Sequence, residues 1–143
     1  MKKIFSALVF VICAGILNFC SADLKDYYDN DSNYKCVGGR MGYYIYVYLP
    51  SVHVQEYNPP HYQIGFNMIS IVADVYKNGT TESTKWHYNE VKRYNWYTKE
   101  SFHLENGYWQ KDDTAGNITR NYEARYFADV VFRAAYGMDF YGY

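Results

Sequence analysis

The chain has 143 residues, with 14 Lys+Arg against 15 Asp+Glu. Without a basic surplus there is no electrostatic footprint for nucleic acid or for an anionic membrane surface. The length fits one domain with a hydrophobic core of its own, so disulfide or metal staples are not obligatory.

Residues 1–22 have the three-part pattern of a secretory signal peptide. Lys2 and Lys3 give a positive start, Ile4 to Phe19 carries no charge, and Cys20-Ser21-Ala22 places small residues before a cut at Asp23. The apolar run is shorter than the roughly 20 residues a spanning helix needs. The expected product is a secreted, extracellular protein of residues 23–143 with a formal charge of −3, because Lys2 and Lys3 leave with the signal. Cys13 and Cys20 leave too, so Cys36 is expected as a free thiol, buried as a small hydrophobe.

Residues 23–41 are expected as a polar, partly flexible lead-in. DLKDYYDNDSNYK buries little apolar area, and Val37-Gly38-Gly39-Arg40 has the composition of a turn. The β-rich domain then spans 42–143. Tyr43–Leu49 is aromatic and β-branched up to Pro50, Val52–Gln55 extends it, and Asn58-Pro59-Pro60 breaks it. Tyr62–Tyr76 alternates in two phases. Tyr62, Ile64, Phe66 and Met68 share one parity; Ile69, Ile71, Ala73 and Val75 share the other. Since the side-chain period of a strand is 2, the switch predicts a β-bulge near Met68-Ile69 or a strand passing between sheets. Asn78-Gly79 and Asn106-Gly107 are hairpin signals, because Asn and Gly tolerate the positive φ of tight turns. Asn89-Glu90 is a polar connection with room for a turn, and Lys111-Asp112-Asp113 fits a solvated one. Over 119–136 the even positions from Tyr122 to Tyr136 are aromatic or apolar, which predicts a strand. A helix competes, because Arg125, Asp129 and Arg133 lie four apart and Gly137 can end one. The fold class expected is all-β: a single antiparallel β-sandwich or small β-barrel.

After residue 22 stand 19 tyrosines, three tryptophans and five phenylalanines, more rings than a core of this size requires. Stiff aromatic side chains give contact area at low entropic cost. The densest group, and the candidate ligand-binding set, is Trp86, Tyr88, Tyr94, Trp96, Tyr97, Tyr108 and Trp109. These residues point to a non-catalytic binding module for an extracellular glycan or a protein partner. The alternatives are a self-associating surface protein, built on Tyr43–Leu49 and Met138–Tyr143 with Cys36 as a bridge, and a membrane-active toxin or small outer-membrane protein. Asp139 and Gly137, in phase with Tyr143, speak against lipid-facing strands.

No catalytic motif occurs, and His53, His61, His87 and His103 form no zinc spacing, so neither metal nor cofactor is expected. Asn30, Asn78 and Asn117 begin glycosylation sequons.

Overall fold

The computed structural model describes residues 26–40, 42–74, 81–114 and 118–142. The proposed signal, the Asn78-Gly79 turn, and the sequon asparagines Asn78 and Asn117 lie outside them. Within them, six strands form one open antiparallel sheet in simple meander order. They are β1 (Tyr34–Arg40), β2 (Tyr43–Asn58), β3 (His61–Asp74), β4 (Thr81–Asn95), β5 (Glu100–Glu105) and β6 (Tyr108–Lys111). One helix, α1 (Ile118–Tyr136), covers part of one face, here called the front. The fold is therefore mostly antiparallel β. Its second layer is a helix, where a second sheet or a closed barrel was expected.

The segment 119–136 is the main correction. Strand burial would hide the even positions, yet Tyr122 and Ala134 are exposed while Val131 is buried. The covered residues include Ala124, Phe127, Ala128, Val131, Phe132 and Ala135, the 3–4 spacing of a helical stripe, with Asp129 and Val130 buried beside it. Even-position alternation and the helical stripe share Ala124, Ala128 and Phe132, so the two patterns overlap in the sequence. A meander with an apolar front face needs a covering layer, and a helix supplies one with its backbone bonds satisfied internally. Gly137, at φ 73°, ends α1, and its N–H donates to Arg133 O at 2.8 Å.

The phase switch in β3 has a different resolution from the one expected. Pairing runs unbroken through Met68 and Ile69 on both sides: Val47 and Tyr88 face Met68, while Tyr46 and His87 face Ile69. Each half of the strand buries the opposite face. Ile64 and Phe66 join Val37, Val47 and Tyr94 beneath α1. Ile69 and Ile71 pack on the back with Cys36 and Tyr46, covered by Tyr28, Tyr34 and Tyr44. One sheet thus has two small cores, staggered along its length.

The lead-in is more ordered than its composition suggests. It contains β1, with Cys36 and Val37 buried, and a short 3-10 turn at Tyr28–Asn30 whose Tyr28 ring meets Tyr34 and Tyr46. Cys36 is a free thiol, and burial pushes its pKa up. The chain also runs straight through Asn89-Glu90, where a turn was allowed for, since Asn89 pairs with Asn67 and Glu90 with Phe66. Pairing between β2 and β3 is irregular between Tyr48 and His53, beside Pro50, which has no N–H to give. There Ser51 Oγ accepts from Asn67 N at 2.8 Å and so restores a lost ladder bond.

Phe132 centres the main core. Its ring meets Tyr62, Tyr94, Trp96, Tyr136 and Phe140, with centroids between 4.8 and 5.7 Å. Phe140 arrives from beyond α1, because Asp129, buried on the helix, accepts from Tyr141 N at 2.6 Å. The C-terminal segment is thereby tied to the core, and β2 lies between β1 and β3. Among the described residues, neither of the stretches proposed for self-association supplies a free sheet edge.

Candidate functional site

The aromatic set chosen from sequence does not form one patch. Cross-strand partners share a face, and faces alternate along a strand. Tyr94, opposite Tyr62, points to the front and is 1% exposed; its hydroxyl donates to Ala128 O at 3.2 Å. It is core, and no ligand reaches its ring. Trp96 stacks on Phe132, with Lys99 Nζ 3.2 Å from its ring centroid. Trp109 lies on the back with Arg93 4.0 Å over its ring. Tyr97 and Tyr108 are exposed, Tyr97 in the β4–β5 turn and Tyr108 beside the β5–β6 turn. Trp86 and Tyr88 remain. They face the front beyond the cover of α1, 42% and 38% exposed, opposite Ser70 and Met68. Ser70, fully buried, donates from Oγ to the Tyr88 hydroxyl at 3.2 Å and fixes that ring.

Tyr88 stands next to a front-face cleft of about 430 Å³ between the sheet and α1. Phe66, Met68, Ala124 and Phe127 give it apolar walls, while Glu90, Lys92, His103 and Asp112 bring polar groups. Alternation of β4 puts Trp86, Tyr88, Glu90 and Lys92 on this one face. β5 adds His103 opposite Lys92 and Ser101 opposite Tyr94. The β5–β6 hairpin turns at Asn106-Gly107, both with positive φ, and returns the chain so that Asp112 N donates to Ser101 O at 2.9 Å.

Asp112 is the residue that sequence reasoning missed. Expected in a solvated turn, it is buried and gathers three side chains. Lys92 Nζ donates to Oδ2 at 2.8 Å, Ser101 donates to the same oxygen, and His103 Nδ1 bonds Oδ1 at 2.8 Å. The Lys92 and Asp112 side chains are 5% and 7% exposed. Burial pushes the Asp112 carboxyl up, but the Lys92 ammonium and the three hydrogen bonds outweigh it and hold it below the ordinary carboxylate range. The Phe127 ring covers Lys92 at 4.8 Å. No local sequence signal marks such a pair, since buried lysines are rare and turn aspartates common.

Ser, His and Asp together here do not make a nucleophile–base relay. Ser101 and His103 both bond Asp112 and not each other, and Ser101 is buried. The cluster locks β4, β5 and the chain after β6 together and fixes the polar wall of the cleft. Glu90 differs from it: burial beside Phe66 pushes its carboxyl up, against the opposing pull of His103 and Lys92. No family model matches this chain, and no similar curated protein or solved structure is found.

A second groove, on the back, is lined by Glu56, His61, Arg93, Phe102 and Trp109. Its one tryptophan already holds Arg93, which is itself bonded to Gln63 Oε1 at 2.8 Å. Among the described residues no three His, Cys, Asp or Glu side chains gather to hold a metal, and no helix is long and apolar enough to cross a membrane. Asn30 is exposed, in the 3-10 turn.

Proposed function

We propose that this is an exported, non-catalytic binding module for an extracellular glycan, with its site in the front cleft and on the adjoining rings of Trp86 and Tyr88. The observation that carries the reading is the in-register run of exposed Trp86 and Tyr88 into a cleft with an apolar floor and polar walls. Flat rings stack on the C–H faces of sugars, and the polar groups beside them take up hydroxyls. Trp86, Tyr88 and the cleft residues replace the wider set of seven aromatic residues as the contact surface. Export rests on the first 22 residues alone.

The test begins by expressing the chain with its own N-terminal segment in a secreting host. Protein in the medium, with a mass that starts at Asp23, supports export; retention in the cell removes it. The recovered protein is then sedimented with a panel of insoluble polysaccharides. Saturable binding to one of them, weakened at least tenfold by Trp86→Ala or Tyr88→Ala in a folded variant, is the expected result. Absence of binding to every polysaccharide sinks the glycan reading. A second reading, self-association, draws on the edge of β4. β5 pairs only with Lys92–Asn95, so residues 86–91 have no strand on that side among the described residues. Monomeric elution at high concentration would remove it.

A further inference from the structure

The front face of β4 carries Trp86, Tyr88 and Glu90 at alternate positions, about 7 Å apart along the strand. We propose that the glycan bound there carries a free, protonated amine, seated against the Glu90 carboxylate beside the Tyr88 ring, with Trp86 left to stack on a neighbouring sugar. This rests on the glycan-binding reading and names the sugar class: amino sugars whose nitrogen is not acetylated.

The charges of the cleft carry the argument. Lys92 is committed to Asp112, and Asp112 to Lys92, Ser101 and His103. Glu90 and Glu105 also line the cleft, and neither side chain has an ion pair or hydrogen bond among the described residues. The uncommitted charge facing a ligand is therefore negative. Glu90 faces Phe66 across the sheet, in a cleft walled by Met68 and Phe127. A carboxylate withdrawn from water beside apolar rings is costly alone and is relieved by a cation. Aromatic faces attract cations as well, through the negative face of the ring, and most strongly where water is excluded. Trp96 and Trp109 already hold Lys99 and Arg93 over their rings, whereas Tyr88, next to Glu90 on this face, has no cation or ring partner among the described residues. A neutral N-acetyl group would leave the Glu90 carboxylate only the pull of Lys92 and His103, both already bonded to Asp112, and an anionic sugar would be repelled by it.

The experiment uses one polymer in two forms, poly-glucosamine with free amines and the same polymer N-acetylated, at pH 6, where the amines are protonated. The full chain is compared with Glu90→Gln and with Glu56→Gln, an equal change of charge in the back groove. Expected is at least tenfold tighter binding to the free-amine polymer, lost in Glu90→Gln and kept in Glu56→Gln. Soluble glucosamine should displace the parent protein while N-acetylglucosamine does not, a readout that needs no variant. Equal binding to both forms would overturn the amine inference and leave the glycan reading standing. So would a preference that both variants weaken alike, since that is only an acidic protein on a polycation. Failure to bind any polysaccharide would remove the underlying reading, and the inference with it.

Discussion

Replacing Asp112 with alanine strands the Lys92 ammonium in a site where its side chain is 5% exposed. The Phe127 ring at 4.8 Å and the Glu90 carboxylate on the same face would then be left to it. Breaking a buried pair by removing one partner costs about 3–5 kcal/mol, because the surviving charge keeps its desolvation penalty. His103 loses its acceptor in the same step, and Ser101 keeps only the Tyr141 hydroxyl at 3.2 Å. At roughly 4 °C per kcal/mol for a domain of this size, the midpoint should fall by about 12–20 °C. The double variant Lys92→Met/Asp112→Leu, which removes both charges and keeps volume, should recover most of that loss. Thermal and urea unfolding of parent, singles and double measure the coupling directly.

The pH dependence has a definite sign. The folded Asp112 carboxyl lies below the unfolded value of about 3.9, so its contribution is present above that value and is lost as pH falls through the folded one. The acid limb of the stability curve should accordingly be shallower in Asp112→Ala. A cost under about 1 kcal/mol, typical of solvated pairs, would refute the reasoning. So would a double variant whose cost equals the sum of the singles.

Glu90 has the opposite sign: its folded pKa is raised by burial, so its favourable contribution holds below the unfolded value and is lost as pH rises through the folded one. Glu90→Gln should then be at least as stable as the parent at pH 7 while losing the amine preference, and a destabilised variant would contradict this. Phe132→Ala removes the ring at the centre of the main core and should cost about 3–5 kcal/mol in urea unfolding. Tyr94→Phe keeps the packing and loses only the bond to Ala128 O, so about 1 kcal/mol is expected, and a loss above 3 would mean that the hydroxyl holds α1 to the sheet. Cys36, buried with its thiol pKa raised, should react with a thiol reagent at the rate of local unfolding, and immediate labelling of the native protein would show it to be accessible.

Much of the sheet was legible because its signals are local. Pro59-Pro60 and Asn106-Gly107 mark turns by backbone restriction, and the alternation from Tyr62 to Met68 marks a strand with one buried face. The helix was not. Ala124, Ala128 and Phe132 fit periods of 2 and of 3.6 alike, and only a sheet face in need of cover decides between them. The candidate site was legible in residue type but not in place. Trp86, Tyr94 and Trp109 have similar sequence surroundings, yet they fall on the exposed front, in the core and on the back, because pairing register and the reach of α1 set their faces.

By itself, then, the sequence determined the strand-rich character, the two turns and the surplus of rings. These follow from backbone sterics and side-chain chemistry within a few residues. Tertiary structure alone decided that β3 buries opposite faces in its two halves, that Asp112 and Lys92 meet across 20 positions, and that Glu90, His103 and Phe127 line one cleft. Such contacts depend on which strands pair, in which register, and on what covers the sheet, and no local pattern carries that information.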